Sequence, residues 1–457
     1  QSGRRARPSP APVRIAEAVL CSLQWRRAAA PLDEAETMRA VLLFLACGAP
    51  LLASAELIGL EAKQCRSSSR NCEWVRGGEM LEYTANANPP MTEVPVRVFP
   101  AALHQSGKTQ VVPLDLSEAL SLRYKATAPN LLASFIEVRV GEALETGVEH
   151  ATSQSFYVVR GSGSSLTRAG TVEWSEGDLF VLPYLGDDAP PVCESSPGVV
   201  GRQCVRHTCS GPEGSSCALY FVHDEPLLRY LGARPVDTRR FQPALYPGKA
   251  MLDTVSNISA VDEKGEVRNR RGILLSSQDA PQTRTLTPTL WSLLNSIGPG
   301  ANQAPHRHNS VALDLAVVGG PGVYTLLGRE LDANGDIVRP QRVDWESGAV
   351  FVTPPGWWHS HHNEGAATAW VLPMQDAGLY THQRTLDIRF MSEERSRLQS
   401  GFSRGATLDN HKQDADKDKT GGEAKAASSF GGQAEEGGED SKPLVAGTIM
   451  FGHSSAH

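Results

Sequence analysis

The sequence predicts an all-β protein with two strand-rich units in one chain. Two stretches, residues 130–232 and 286–400, are rich in Val, Leu, Phe, Tyr and Thr and are broken by glycines, which is typical of strands joined by tight turns. Each stretch also contains a glycine followed by five residues and a proline, starting at Gly177 in the first and at Gly348 in the second. This repetition indicates that the first stretch is a weaker copy of the second.

The composition is that of an ordinary globular protein. At 457 residues the chain is long enough for two or three domains. Hydrophobic residues make up 40% and charged residues 21% of the chain, with a net charge of −7 at pH 7. This acidic balance, without a basic stripe, argues against a nucleic-acid partner. No internal apolar run approaches the length of a membrane span, so we expect no membrane association once a signal peptide is removed.

The chain begins with segments that we interpret as a leader. Residues 38–55 combine a positive charge, a short apolar run and a small-x-small ending at Ala55, which is the pattern of a secretory signal peptide. The preceding residues 1–37 are rich in Arg, Ala and Pro and predict a disordered upstream extension. A transit peptide over residues 1–55, or a buried helix, is the alternative. We expect the mature chain to begin near Glu56 and to enter the secretory pathway.

The cysteines agree with an oxidising compartment. Removal of residues 1–55 leaves an even number, six, at Cys65, Cys72, Cys193, Cys204, Cys209 and Cys217. Cysteines clustered in loops rich in Gly, Ser and Pro predict disulfides. A zinc site is the alternative, since His207 lies nearby, but no Cys-x-x-Cys spacing supports it.

Two histidine clusters lie in the second strand-rich stretch. His306 and His308 are two residues apart, so an extended strand presents both imidazoles to the same face. Gly356 permits a sharp turn before His359, which can bring a third imidazole from a neighbouring strand to that face. The pattern therefore predicts one metal ion held by three neutral nitrogen ligands. A His-x-His pair by itself would more often be structural.

The two clusters together resemble the two-part signature of the cupin superfamily. This resemblance implies two cupin barrels in one chain, each a small antiparallel jelly roll. The first part is a glycine, five residues and His-x-His, and residues 348–363 match every position of the second part. The runs His-Arg-His at 306–308 and Trp-His-Ser-His at 358–361 resemble the gentisate 1,2-dioxygenase group of bicupins. This resemblance implies Fe(II) bound by three histidines, with open positions for a substrate hydroxyl and for O2.

The resemblance also suggests roles for residues beside the ligands. His361 lies two residues after a ligand and corresponds to a catalytic acid/base that bonds to substrate or oxygen. The alternative is that His361 is a surface histidine. Trp357 and Trp358 fall next to His359, and we predict that they contact the substrate.

The first stretch resembles a degenerate cupin barrel without a metal site. Val148 stands in place of the first histidine, and His150 and Gln154 stand where a cupin could have its second histidine and its glutamate. Counted from Pro183, Asp188 takes the place of the third histidine. The second barrel should therefore be the active one, whereas the dioxygenases that the chain resembles have the fully equipped barrel first.

Asp314 limits how far the family's substrate can be transferred. In the gentisate and salicylate dioxygenase pattern an arginine follows Ala-Leu and is assigned to the substrate carboxylate, but Asp314 follows Ala312 and Leu313 here. In a continuous strand Asp314 shares a face with His306 and His308, and it would repel a carboxylated ring. A bulge that turns Asp314 outward, or a structural hydrogen bond, is the alternative.

The expected function is an Fe(II)-dependent dioxygenase that cleaves a hydroxylated aromatic ring other than gentisate, with one iron per chain in the second barrel. A cupin isomerase or decarboxylase and a non-catalytic ligand-binding bicupin are the alternatives, and a homo-oligomer remains open. The remaining expected segments are an N-terminal arm at residues 56–129, a linker at 233–285 and a disordered tail at 401–457. The tail has almost no large apolar residues before Leu444, so it cannot bury enough surface to fold.

Overall fold

The computed structural model describes residues 78–186, 193, 203–236, 240–259, 261 and 270–391. The predicted upstream extension, signal peptide and tail lie outside these residues, as do Cys65, Cys72 and Asp188. Within the described ranges, no helix is both long enough and apolar enough to span a membrane.

The first half of the described chain forms a barrel of ten strands. Its elements, together with those of the preceding arm, are α1 (Tyr83–Asn86), β1 (Val98–Phe99), a 3-10 helix (Ala101–His104), β2 (Gln110–Pro113), β3 (Leu132–Arg139), β4 (Ala143–Val148), β5 (Ser153–Arg160), β6 (Ser162–Thr167), β7 (Gly170–Ser175), β8 (Leu179–Pro183), β9 (Gln203–Ser210), β10 (Ser216–His223), α2 (Glu225–Leu231), β11 (Ala244–Tyr246) and α3 (Gly248–Ser256). One sheet has the order β11-β8-β5-β10-β3-β2 and the other β4-β9-β6-β7. The described pairings are antiparallel, as in a jelly roll.

The second half repeats this arrangement. Its elements are β12 (Arg271–Leu275), β13 (Trp291–Ile297), β14 (His306–His308), β15 (Ala312–Val318), β16 (Val323–Gly328), β17 (Gln341–Asp344), β18 (Val350–Thr353), β19 (Trp358–Asn363), β20 (Ala369–Gln375), α4 (Ala377–Gln383) and β21 (Ile388–Phe390). The sheets have the orders β1-β18-β15-β20-β13-β12 and β17-β16-β19-β14-β21. The prediction of an all-β chain with two barrels is confirmed.

The segments predicted as arm and linker also contribute strands. From the arm, β1 adds to the edge of the second barrel by pairing with β18, and β2 pairs with β3 of the first barrel. From the linker, β11 pairs with β8 of the first barrel and β12 pairs with β13 of the second. The arm and the linker are therefore parts of the sheets of both barrels.

Two buried aspartates hold the barrels together in a reciprocal way. Asp224 precedes α2 of the first barrel and accepts a hydrogen bond of 2.9 Å from the hydroxyl of Thr289, just before β13. Asp376 precedes α4 of the second barrel and accepts one of 2.7 Å from the amide of Asn130, just before β3. An apolar cluster drawn from both barrels surrounds these contacts, so the interface is a continuous part of the core.

Two disulfides form in the first barrel. Cys193 pairs with Cys204, and Cys209 on β9 pairs with Cys217 on β10. The disulfide prediction is confirmed for these four cysteines. The zinc alternative fails for them because paired sulfurs are not thiolate ligands.

Candidate active site

Three histidines from two neighbouring strands meet at one end of the second barrel. His306 and His308 lie on β14, and His359 lies on β19 directly opposite His306 in the strand pairing. The ring nitrogens that could bind a metal lie within 4.8 Å of one another. This spacing suits one shared ion, so the structure brings together the predicted ligand set.

The turn before β19 is tied to β14. Gly356 has a φ of +78°, in the left-handed region that favours glycine. Its backbone N–H donates a hydrogen bond of 2.7 Å to the carbonyl of His308. This bond places the start of β19 beside β14, and the next histidine on β19, His359, therefore faces the first two.

Backbone carbonyls orient two of the three rings. Nδ1 of His308 donates to the carbonyl of Ser310 at 2.9 Å, and Nδ1 of His359 donates to the carbonyl of Trp357 at 3.1 Å. Because the proton of each neutral ring is then on Nδ1, the lone pair of Nε2 is left for a metal. These two rings fit a metal ion without rearrangement.

The third ring has a different partner. Nη2 of Arg270 lies 2.7 Å from Nδ1 of His306. A guanidinium can only donate, so Nδ1 of His306 accepts and its neutral ring carries the proton on Nε2. Metal binding through Nε2 of His306 therefore requires Arg270 to release Nδ1.

Burial keeps these imidazoles neutral. It lowers the pKa of His308 to about 4 and that of His306 and His359 well below the ordinary value. Neighbouring imidazoles lower the pKa of His306 and His359 further, and so does the charge of Arg270. Neutral rings are the form that binds metal, so the donor set fits a divalent ion.

The histidines line a cavity of about 370 Å³. This volume is at the lower end of the range for small-molecule sites and suits a single substituted ring. The other polar lining residues are Arg270, Asn295, Gln303, Asp314, His361 and Gln375, and the large apolar ones include Ile273, Leu274, Trp291, Leu293, Val371, Ile388 and Phe390.

Arg270 and Asp314, two residues whose ionised forms have opposite charges, line the cavity. Burial lowers the pKa of Arg270 to about 10, so Arg270 stays positive at neutral pH, and its guanidinium lies 4.9 Å from the ring centre of Phe390. Asp314 accepts a hydrogen bond of 2.6 Å from the Thr353 hydroxyl. Burial raises the pKa of Asp314 to about 7, so it is only partly ionised near neutrality. The structure thus places Asp314 in the wall of a cavity that is also lined by Arg270, a cation that sequence reasoning missed.

His361 is buried rather than on the surface. Its Nδ1 lies 2.8 Å from the hydroxyl of Thr325, which in turn accepts a hydrogen bond of 2.8 Å from Nε1 of Trp345. Among the described residues the Thr325 proton has no other acceptor, so satisfaction of the buried hydroxyl directs it to Nδ1 of His361. Nε2 of His361 then carries the ring proton. Burial, and next the charge of Arg270, lowers the pKa of His361 to about 3, so the ring is neutral.

Comparisons with known proteins agree with this architecture. The chain resembles two crystal structures of salicylate 1,2-dioxygenase from Pseudoaminobacter salicylatoxidans, one of them a variant in complex with gentisate. The variant is 12% identical with a TM-score of 0.51, over 72% of this chain and 97% of that one. The other is 13% identical with a TM-score of 0.51, over 68% of this chain and 93% of that one. These likenesses establish the fold.

A curated gentisate 1,2-dioxygenase from Streptomyces sp. is 30% identical over 121 residues, which are 26% of this chain and 30% of that protein. This part of the chain is therefore similar in sequence to a gentisate 1,2-dioxygenase, and the described chain shares the two-barrel fold of the salicylate 1,2-dioxygenases. The match spans less than a third of the curated relative's length. No family model matches the chain.

The two tryptophans beside His359 are not among the residues that line the cavity, in contrast to the contact that we predicted. Side chains alternate along β19, so Trp358 faces away from His359, and Arg307 lies 5.0 Å from its ring centre. Trp357 packs against Arg329, also at 5.0 Å. The substrate-binding role predicted for Trp357 and Trp358 is not supported by this placement.

The first barrel has no histidine at the strand positions that correspond to the three ligands. In the pairing of β4 with β9, Thr146 is opposite Val205, as His306 is opposite His359. Thr146, and not Val148 as predicted, therefore stands at the position of the first ligand. The count from Pro183 to Asp188 was the wrong guide, because β9 begins only at Gln203, after a longer connection than the one before β19. Alignment by strand pairing puts Val205, not Asp188, at the position of the third ligand.

The first barrel also has a filled interior. The ring of Phe156 stacks between those of Phe180 and Phe221, with ring centres 4.7 and 4.4 Å apart. His207 bonds at Nδ1 to Ser165, which accepts from Trp174, and this repeats the Trp345, Thr325 and His361 arrangement. Nδ1 of His150 lies 3.6 Å from Oε1 of Glu225. Among the described residues, no second histidine belongs to the group of possible metal ligands around His150.

Proposed function

We propose that the chain is an Fe(II)-dependent dioxygenase that cleaves the ring of a hydroxylated aromatic compound. The observation that carries the proposal is three neutral imidazoles at the wall of a ring-sized cavity. The fold is shared with salicylate 1,2-dioxygenases, and part of the chain is similar to a gentisate 1,2-dioxygenase. These relatives supply the reaction class, and the cavity supplies the site.

His306, His308 and His359 would hold the iron. Three neutral nitrogen donors leave coordination positions for exogenous oxygen ligands and suit a redox-active divalent ion. When bound, iron would supply the electronic coupling between the aromatic ring and O2, which the two do not have without the metal. The protein's own contribution is to bind the ring, to orient it and to keep the site dry.

His361 holds a proton at a fixed atom. Because Thr325 and Trp345 fix Nδ1, the Nε2–H of His361 is the group left to donate to a ligand in the cavity. With its pKa lowered to about 3, His361 acts as a neutral hydrogen-bond donor rather than as a cation. In this role, the group of His361 that contacts the ligand is its Nε2–H.

Arg270 and Asp314 would make binding in the cavity depend on the charge of the ligand. Arg270 precedes β12, and β13 and β20 separate that strand from β15, which carries Asp314. At about 4.8 Å per strand step the two strands are roughly 14 Å apart across the sheet. Arg270 favours an anionic oxygen near the histidines, whereas ionised Asp314 disfavours a carboxylate at its own wall. The substrate is therefore a hydroxylated ring other than gentisate, without a carboxylate facing Asp314.

Oxygen uptake on a substrate panel tests this proposal. The purified chain is loaded with Fe(II) without air and mixed with gentisate, salicylate, hydroquinone or 2-aminophenol in an oxygen electrode. We expect uptake with uncharged or amino-substituted phenols that exceeds uptake with gentisate, and none in His306→Ala. Product formation without oxygen uptake would instead identify an isomerase or decarboxylase, and no reaction with any compound would remove the enzyme assignment.

A further inference from the structure

Gln303 is unusual among the residues that line the cavity. Its side chain is 2% exposed, and neither the oxygen nor the nitrogen of its amide has a hydrogen-bond partner among the residues that the structure describes. The backbone of Gln303 is fixed, because its N–H donates a hydrogen bond of 2.9 Å to the carbonyl of His361. Two unpaired polar atoms are therefore held in the cavity wall next to the predicted catalytic histidine.

A second glutamine in the same cavity shows the contrast. Gln375 is also buried, but its Oε1 accepts a hydrogen bond of 2.7 Å from the hydroxyl of Ser310. Buried amides in folded proteins nearly always have such partners, because an unpaired buried donor or acceptor destabilises the fold. Gln303 lacks the partner that would explain it as a structural residue.

We propose that Gln303 determines specificity by binding a neutral polar substituent of the ring. This inference rests on the proposed function and names the substrate group that the site selects. An amide supplies both donors and an acceptor, so it satisfies a hydroxyl, amino or amide group that also has both. A carboxylate can only accept, so it would leave Oε1 of Gln303 unpaired and facing another negative oxygen. Gln303 therefore selects a substituent that retains a proton.

The test compares Gln303→Leu with the wild-type chain in stability and in binding. Leucine has a similar size and no polar atoms, so removal of the unpaired amide should leave the melting temperature unchanged or raise it. The matched control is Gln375→Leu, which breaks the bond with Ser310 and should lower the melting temperature. A lower melting temperature in Gln303→Leu would overturn the proposal, because it would show a structural role.

Binding is measured by calorimetry with the Fe(II)-loaded full chain under nitrogen. The probes are gentisate and three compounds that each lack one of its substituents. Salicylate and 3-hydroxybenzoate each lack one of the two hydroxyls, and hydroquinone lacks the carboxylate. Gln303→Leu should weaken binding roughly tenfold for probes that carry the contacted hydroxyl and should not affect the probe that lacks it. If hydroquinone is the unaffected probe, the contacted group is the carboxylate and the proposal is wrong.

Separate outcomes distinguish this inference from the proposed function. Equal binding of the probes by wild type and Gln303→Leu, with oxygen uptake intact, would overturn only the role of Gln303. A selective loss of binding in a chain that consumes no oxygen would support Gln303 and overturn the dioxygenase. A wild-type chain that binds none of the four probes and consumes no oxygen with any compound of the panel would overturn both.

Discussion

The guanidinium of Arg270 donates a hydrogen bond of 2.7 Å to Nδ1 of His306. One residue of a predicted metal site is thereby coupled to the cation in the same cavity. Arg270 also donates to the carbonyl of Ala304 at 2.6 Å, which holds it beside the strand of the ligands. Metal binding through Nε2 of His306 would release the guanidinium from Nδ1 and leave it free to contact an anionic ligand.

Replacement of Arg270 tests its role toward anions. Arg270→Met should weaken binding of anionic ring compounds by about ten- to a hundredfold, the loss expected for a hydrogen bond to a charged group. Binding of neutral phenols should change much less. Calorimetry under nitrogen measures both.

Arg307→Met is the matched control for this prediction. Arg307 lies between His306 and His308 but faces Trp358 on the outer side of the barrel. The control should bind both ligand classes as the wild type does. Equal losses for neutral and anionic compounds in Arg270→Met would show that Arg270 maintains the cavity's shape rather than its charge.

The metal ligands of this site could be predicted from the histidine motif, whereas most of the residues around them could not. His306, His308 and His359 could be predicted because strand alternation and one turn glycine place them, and both are visible over short spans of sequence. The same alternation turns Trp358 away, so closeness in sequence to His359 was a poor guide to the cavity. Arg270 carried no local signal, since it reaches the site only through the pairing of β12 with β13.

Other features depended on tertiary information. Gln303 lies within the histidine motif, but its importance comes from the absence of partners among the described residues, which no sequence pattern reports. Asp188 was misplaced because the connection before β9 is longer than its counterpart before β19, and residue counting assumes equal loops. The all-β class was predictable from strand and turn patterns, whereas the jelly-roll form of the two barrels was expected from the resemblance of the histidine motifs to the cupin signature.

Asp314 should make anion binding depend on pH. Burial raises its pKa to about 7, so Asp314 is neutral below that pH and negative above it. Affinity for a carboxylated ring such as gentisate should fall by up to about tenfold as the pH rises through 7, because the ionised side chain repels the carboxylate. Asp314→Asn keeps an acceptor for Thr353 and should abolish this dependence. A pH profile unchanged in Asp314→Asn would assign it to another group.

The same shift predicts an effect on stability. As the pH rises from 3.8, the ordinary pKa, to about 7, the unfolded chain ionises at Asp314 before the folded chain does. The wild type should therefore lose stability relative to Asp314→Asn over this range, by at most about 4 kcal/mol. Denaturant unfolding of both proteins at pH 4 and pH 8 measures the difference, and a constant difference would show that the carboxyl is not buried as described.

The orientation of His361 depends on Thr325. Thr325→Val has nearly the same shape but removes the hydroxyl that fixes Nδ1, so both tautomers of His361 become available. We expect iron content to be retained and kcat to fall by about tenfold or more. Ser360→Ala is a control on the opposite side of β19, where the Ser360 hydroxyl bonds to His362. Unchanged kcat in Thr325→Val would mean that the Nε2–H of His361 takes no part in turnover.

Metal stoichiometry tests the ligand assignment. The wild type should retain one iron per chain after dialysis, and His306→Ala should retain almost none, because ligand number and geometry hold the ion. His362→Ala is the matched control, since His362 faces outward and its Nδ1 lies 3.0 Å from Oδ1 of Asn302. Elemental analysis of the three proteins decides the point. Two ions per chain, or full retention in His306→Ala, would contradict a single site in the second barrel.

The incorporation of labelled oxygen distinguishes ring cleavage by O2 from every other reaction in this cavity. The Fe(II)-loaded chain is allowed to turn over its best substrate from the panel under ¹⁸O₂, and the product is analysed by mass spectrometry. We expect an opened ring that carries two labelled oxygen atoms, before any exchange with water. A product without label, or one whose ring is intact, would contradict the assignment of this cavity to a ring-cleaving dioxygenase.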